Sequence, residues 1–204
     1  MQTKIKKAPI VIVIITICLY LPLMESWGNG TLWGVNWQSP AFMAQLGDKL
    51  RVLKLVLITL AFLLLIIRYH HISETINNKF FKNIFIVSGF IVAIVQIPLL
   101  CLGILLAGSL SANLDYSHKE LKFSDRTIYA YTADPGAMGK AYHYFYLKCK
   151  LPLNRYELKL LKKLDWMPEY SIEVHGNKLI ITNKSGKGEA HLSDITNFNC
   201  KLQP

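Results

Sequence analysis

The chain has 204 residues, enough for one or two domains, and 52% of them are hydrophobic. Its net charge of +10 is unevenly distributed: residues 1–110 hold nine Lys/Arg against three Asp/Glu, and residues 111–204 hold 14 against 10. The basic residues of the second half are interleaved with acidic ones, which argues against nucleic-acid binding. In the first half they lie beside apolar segments, which favours contact with membrane lipids.

The first apolar segment, residues 8–24, follows a basic start that contains Lys4, Lys6 and Lys7. No small-residue cleavage pattern follows it, so we expect a first transmembrane helix that is not removed as a signal peptide. Three tryptophans come next among glycines: Trp27, Trp33 and Trp37. Because tryptophan favours the membrane–water interface, residues 25–38 are predicted to lie on the bilayer surface. An aromatic ligand site is the alternative.

A second helix is predicted from Ser39-Pro40, a typical N-cap and first helical residue. Its spanning part, near residues 53–67, is short, and we expect Lys54 and Arg68 to extend it by reaching toward the interfaces. Residues 68–83 read as a polar link. The adjacent histidines of this link, at 70 and 71, cannot share one helix face and make a poor metal or haem site.

The third span is the uncharged segment 84–110, which as a helix would be about 40 Å long. Small residues spaced by four and a central glutamine predict packing against other helices, and this span is a candidate contact for a homo-oligomer. The predicted packing residues are Gly89, Ala93, Gln96, Gly103 and Ala107. The sequence indicates no paired ionisable residues deep in the spans, which argues against a channel or proton-coupled carrier.

The orientation follows from the basic residues. Six lie on the side shared by the N-terminus and the 68–83 link, and three lie on the other side, near the start of the second span. This distribution predicts the N-terminus inside and the C-terminal residues 111–204 outside. In an oxidising compartment Cys149 and Cys200 could form a disulfide; two unpaired thiols are the alternative. Cys18 and Cys101 lie in apolar segments and are expected to behave as small hydrophobic residues.

The C-terminal part alternates with a period of two, which predicts a small antiparallel β-rich domain, a sandwich or a partial barrel. One segment, Arg155–Leu164, also fits a helix, although a strand is favoured. The expected strands and hairpins are Arg126–Ala133, Lys140–Lys150, Arg155–Leu164, Glu169–Thr182 and Ala190–Leu192.

Tyrosines are concentrated in the first predicted hairpin. If Tyr131 lies opposite Tyr142, five of them share one side of the sheet: Tyr129, Tyr131, Tyr142, Tyr144 and Tyr146. Such a surface suits binding of a protein or of a sugar or peptide, because tyrosine offers rigid area with a polar tip. The simpler alternative is that tyrosine is present for its strand propensity. The other side carries His143, which we expect to be buried and hydrogen-bonded.

The sequence contains no catalytic, nucleotide-binding or metal-binding signature, so neither an enzyme nor a cofactor or metal site is predicted. The leading hypothesis is a non-catalytic protein of a bacterial cytoplasmic membrane, with three transmembrane helices that anchor a periplasmic β-rich domain for protein binding. One alternative is an immunity-type protein that neutralises a membrane- or envelope-directed toxin. The other is a membrane-bound enzyme acting on a lipid or cell-wall substrate.

Overall fold

A computed structural model describes residues 8–28, 30–110, 117–123, 126–135, 139–185, 190–198 and 200; the side chains of residues 8, 9 and 107–110 lie outside this description. The chain forms two compact units. One comprises Met1–Val35 and Ala44–Gly108, and the other Asn36–Met43 and Ser109–Pro204. The predicted class is confirmed, because the first unit contains three long apolar helices and the second contains antiparallel sheets. We call them the helical unit and the β unit.

Four α-helices and a short 3₁₀ turn lie in the first part of the chain: α1 (Ala8–Trp27), the turn (Thr31–Gly34), α2 (Pro40–Ile67), α3 (Tyr69–Thr75) and α4 (Lys79–Leu110). Helices α1, α2 and α4 are long and apolar enough to cross a membrane. The helix predicted from Ser39-Pro40 is confirmed: α2 begins at Pro40, and the Phe42 N–H donates to Ser39 Oγ at 3.2 Å.

The polar link predicted at residues 68–83 is largely helical in the structure. Helix α3 occupies part of it, and α4 begins at Lys79, before the uncharged segment. The reason for the early start is Asn78, whose Oδ1 accepts the N–H groups of Phe80 at 2.9 Å and Phe81 at 3.3 Å. A side-chain cap of this kind satisfies the first backbone donors of a helix even where the following residues are charged.

The core of the helical unit is small, and only 17% of the most apolar part of each long helix is buried. Its buried residues come from all four helices: Ile15, Leu19, Ile58, Ala61, Leu65, Ile72 and Ala93. The phenyl rings of Phe62 on α2 and Phe90 on α4 meet edge to face, with centroids 5.6 Å apart. Most other apolar side chains point outward, which suits a hydrocarbon solvent.

The described residues of the β unit form seven strands: β1 (His118–Lys122), β2 (Thr127–Ala133), β3 (Tyr142–Leu151), β4 (Arg155–Asp165), β5 (Tyr170–His175), β6 (Lys178–Asn183) and β7 (Ala190–Asp194). They make two antiparallel sheets, ordered β1-β2-β3-β4 and β5-β6-β7. Both sheets contribute to one core, in which Phe145 of β3 and Leu179 and Ile181 of β6 are fully buried. A two-layer arrangement with a shared core is the usual solution for two half-apolar sheets.

The strand at Arg155 is confirmed, and its ambiguous pattern has a structural cause. The register between β3 and β4 shifts between Phe145 and Tyr146, as in a β-bulge. Consequently Leu161 and Leu164, which are three residues apart, both pack on the core, and simple alternation is broken. Strand β1 was not predicted, because its sequence HKELK is largely exposed and has no apolar alternation.

A further strand-like pairing involves the segment between α1 and α2. Trp37 forms an antiparallel bridge with Arg155 at the outer edge of β4. The Gln38 N–H donates to the Asn154 carbonyl at 2.8 Å, and the Tyr156 N–H donates to the Asn36 carbonyl at 3.2 Å. This segment therefore covers an edge of the sheet that would otherwise expose backbone donors and acceptors.

Candidate functional site

The predicted tyrosines do lie on one side of the β1-β2-β3-β4 sheet, although the predicted register is wrong. Tyr131 lies opposite Tyr144, and Tyr142 lies opposite Ala133. The pairing extends to the end of β2, where the buried side chains of Thr132 and His143 are 3.0 Å apart across the strands. Because side chains alternate with a period of two, a shift of two residues leaves all five tyrosines on the same side.

We call this side the tyrosine face, defined by Tyr129, Tyr131, Tyr142, Tyr144, Tyr146 and also Tyr156 of β4. Its rings are in mutual contact. The ring centroid of Tyr144 lies 6.4 Å from those of Tyr131, Tyr142 and Tyr146. Lys163 of β4 places its Nζ 3.8 Å from the Tyr142 centroid and 5.3 Å from the Tyr144 centroid. Aromatic and cation–π contacts of this kind hold the rings in a continuous layer.

Two of the six tyrosines are covered. Tyr129 is 3% exposed and Tyr156 is 5% exposed. The Tyr129 hydroxyl lies 2.6 Å from Nδ1 of His118, and burial raises its pKa far above the usual range. Burial and the nearby Glu120 carboxylate raise the pKa of Tyr156 to about 12. Both phenols stay protonated near neutral pH, and contact of the buried Tyr129 with a partner stays a prediction.

Lys148 contacts several groups in the covered part of the tyrosine face. Its Nζ lies 2.7 Å from a carboxylate oxygen of Glu120 and 5.2 Å from the centre of the Tyr156 ring. It also donates to the Gln38 carbonyl at 3.2 Å, so the segment before α2 helps to cover this part of the face. The other four tyrosines, at 131, 142, 144 and 146, are partly exposed and form the accessible part.

The sheet that carries this face is basic. Its four strands hold eight Lys/Arg against three Asp/Glu, whereas the β5-β6-β7 sheet holds one against two. The positive charge and the aromatic rings are therefore on the same sheet. Tyr156 and the lysines were not predicted as part of the surface, since the register that aligns β4 with β3 cannot be read from the sequence.

His143 is buried on the core-facing side of β3, as predicted. Its Nε2 lies 2.9 Å from the Met167 nitrogen and 3.0 Å from the Met167 carbonyl oxygen, and its Nδ1 lies 3.0 Å from Thr132 Oγ1. Burial is the main cause that lowers its pKa; the nearby Lys119 lowers it further, and the backbone of Met167 opposes this. A neutral, saturated imidazole with no exposed nitrogen acts as a structural group.

In the helical unit, the first part of the predicted packing surface is buried. A Cβ at Gly89 would lie 3.1 Å from Cδ2 of Leu65, and Ala93 is fully buried. Gln96 is buried and donates to the Leu19 carbonyl of α1 at 3.4 Å. These three residues therefore lie at contacts among α1, α2 and α4.

The second part of the predicted packing surface consists of Gly103 and Ala107. A Cβ at Gly103 would meet no described atom within 4 Å. The side chain of Ala107 lies outside the described residues. Contact of this end of α4 with another copy of the chain stays a prediction.

All three predicted interface tryptophans, Trp27, Trp33 and Trp37, are exposed. Trp33 has a positive φ of 57° in the 3₁₀ turn, and a Cβ at Gly28 would lie 2.9 Å from its ring. The glycine thus permits close approach of this ring. A location at the membrane surface stays a prediction for these side chains.

One ion pair in the helical unit joins α1 and α2. Glu25 belongs to the last turn of α1, and its carboxylate pairs with Lys54 of α2. The two side chains are 11% and 13% exposed. Glu25 also accepts the Leu32 N–H at 2.9 Å, and Lys54 donates to Ser26 Oγ at 2.9 Å. Lys54 therefore contacts the last turn of α1, and its reach toward the membrane interface stays a prediction.

Cys149 of β3 and Cys200 form a disulfide, with Cα atoms 5.2 Å apart. Among the described residues, no group of three or more His, Cys, Asp or Glu side chains could hold a metal ion. The aromatic and basic tyrosine face is the candidate binding site of the β unit. Comparison with protein-family models, with curated proteins and with solved structures finds no match to this chain.

Proposed function

We propose that this chain is a non-catalytic integral membrane protein that binds an acidic segment of another protein through the accessible part of the tyrosine face. The observation that carries this proposal is the coincidence of four partly exposed, mutually packed tyrosines with a basic sheet. Rigid aromatic rings supply contact area at low entropic cost, and the lysines favour Asp and Glu in the partner.

We further propose that the β unit lies outside a bacterial cytoplasmic membrane. The pairing of Trp37 with Arg155 requires the segment before α2 and the β unit to be on one side, which two crossings by α2 and α4 satisfy. The disulfide between Cys149 and Cys200 suits an oxidising compartment. The six basic residues on the opposite side agree with the positive-inside rule.

The test is site-specific photo-crosslinking in intact cells. A benzoylphenylalanine replaces Tyr144 of the face or, as the matched control, Leu192, an exposed residue of β7. We expect a discrete protein adduct only from position 144, with the crosslinked peptide rich in Asp and Glu. Equal adducts from both positions, or none from 144, would contradict the proposal.

Charge reversal adds a second criterion. Lys163→Glu removes the cation beside Tyr142 and Tyr144 and should reduce the adduct about tenfold, because like charges across an interface are costly. Lys178→Glu on β6 is the matched control and should leave the adduct unchanged. Both lysines are exposed, so neither change should unfold the β unit.

The two alternative functions, an immunity-type protein and a membrane-bound enzyme, stay predictions. No described contact favours either of them over protein binding. An immunity-type role would be a special case of the proposal, with a toxin as the acidic partner.

A further inference from the structure

A cavity of about 370 Å³ lies within the helical unit, beside the Glu25–Lys54 ion pair. It is bounded by the last turn of α1, the residues that follow it, the first half of α2 and the second half of α4. The lining residues that matter for its chemistry are Glu25, Ser26, Leu50, Arg51, Lys54 and Gly103. Its volume is in the range of small-molecule sites.

The polar wall of this cavity favours an anion. Among the lining residues, Arg51 and Lys54 are positively charged and Glu25 is negatively charged; Asp48, which pairs with Arg51, does not line the cavity. Arg51 contacts Asp48 through one guanidinium nitrogen at 2.9 Å, in an exposed pair that constrains it weakly. The other N–H groups of a guanidinium can face an oxyanion, and the geometry of the group matches phosphate. Ser26 accepts from Lys54, so its own O–H can donate to a bound oxygen.

The opposite wall is apolar. Leu50 of α2 and Leu99 and Leu100 of α4 line it, and Leu99 is 62% exposed. Gly103 continues this wall, and the absence of a side chain there leaves the space open. A site with a cationic side and an apolar side matches a molecule with a charged head and a hydrocarbon part better than a small free ion.

The position of the cavity along the spans also favours a molecule with a charged head and a hydrocarbon part. Glu25 and Ser26 immediately precede the exposed Trp27 at the end of α1. Tryptophan is typical of the headgroup region of a bilayer, where phosphate groups of lipids are found. An apolar wall at that depth would continue toward the hydrocarbon.

We propose that this cavity binds a phosphate-bearing anionic group, with Arg51, Lys54 and Ser26 as ligands, and that a phospholipid headgroup supplies it. The first carbons of the lipid chains lie against Leu99 and Leu100. This site is independent of the tyrosine face.

The experiment uses the full chain in a neutral detergent and counts bound ligand by native mass spectrometry. The probes are phosphatidylglycerol, phosphatidylcholine, diacylglycerol and inorganic phosphate, each added separately. We expect one phosphatidylglycerol to be retained, at least tenfold more tightly than the other two lipids. Retention of inorganic phosphate with the same variant dependence would support the anion site and assign its source to a free ion.

Two variants and one control make the result specific. Gly103→Leu places a side chain in the cavity and leaves every charged group unaltered. A Cβ at position 103 would meet no described atom within 4 Å. Arg51→Gln should weaken phosphatidylglycerol retention about tenfold, the expected effect of losing a charged hydrogen bond. Lys49→Gln is the control, since Lys49 does not line the cavity. If both variants retain phosphatidylglycerol as the unaltered chain does, or if no probe binds, the proposal is overturned.

Discussion

The two units of this chain place polar and apolar residues in opposite ways. In the helical unit, large apolar side chains such as Ile91 and Leu99 point outward, while Glu25 and Gln96 are buried. In the β unit, Phe145 and Ile181 are inside, and charged residues such as Lys163 are on the surface. Each unit is therefore suited to a different solvent: hydrocarbon for the helical unit and water for the β unit.

The difference also changes which interactions hold each unit together. Burying apolar surface stabilises the β unit, but it gives little advantage to helices that are surrounded by lipid. In the helical unit, close packing at Gly89 and polar contacts between helices should matter more. The contact between Tyr20 of α1 and Ser88 of α4, at 2.6 Å, is one such contact.

The largest effect is expected from the buried ion pair. Glu25→Gln should lower the free energy of unfolding of the helical unit by about 3–5 kcal/mol, because it leaves Lys54 charged without its counter-ion. Combining it with Lys54→Met should recover part of the loss. The measurement is denaturation by sodium dodecyl sulfate from a mild detergent.

Asp48→Asn provides the matched control for that measurement. It removes an exposed pair with Arg51 and should cost less than about 1 kcal/mol. Equal losses from Glu25→Gln and Asp48→Asn would show that the buried ion pair does not stabilise the helical unit more than the exposed pair does.

The disulfide should have the next largest effect, and only on the β unit. Cys200→Ser should lower its stability by about 3–4 kcal/mol, from closure of a loop between positions 51 residues apart. The near-ultraviolet circular dichroism of its tyrosines would report this unfolding. Cys101→Ser, in α4, should leave that signal unchanged.

The same cysteines test the location in cells. Thiol alkylation before and after reduction should find Cys149 and Cys200 oxidised in the unaltered protein. Free thiols at both positions in cells would place the β unit in a reducing compartment and contradict the proposed orientation.

The smallest effect is the pH dependence of the β unit. Burial lowers the pKa of both His143 and His118, so the folded unit keeps these imidazoles neutral. The unfolded chain takes up protons near pH 6.5, the ordinary value for histidine. Stability from these groups is therefore fully present above about pH 6.5 and is lost as the pH falls through that value toward the lower folded pKa.

Urea denaturation at pH 7.5 and at pH 5.5 measures this dependence. The midpoint for the β unit should fall at the lower pH, and His143→Gln should reduce the difference. His175→Gln, at an exposed residue of β5, is the control. Because His143→Gln could weaken folding by itself, titration of the histidine resonances in the unaltered protein gives the independent reading. A His143 resonance that titrates at or above the ordinary value would contradict the assignment.

Several features were predictable because they depend on local sequence. The N-cap at Ser39 and the apolar length of α1, α2 and α4 follow from helix chemistry and bilayer thickness. The hairpin that contains Tyr142 follows from alternation and from the turn residues between its strands. Strand β1 could not be predicted from alternation, because it lies at the sheet edge and its polar residues are largely exposed.

The composition of the sequence alone determined that a mostly apolar part precedes a polar, alternating part, and hence that two solvents are involved. Only the tertiary structure decided which distant residues meet: Glu25 with Lys54, Trp37 with Arg155, and Tyr131 with Tyr144. The physical reason is that helix and strand periods fix which side a residue occupies, whereas register and long-range pairing depend on the free energy of the whole packed unit.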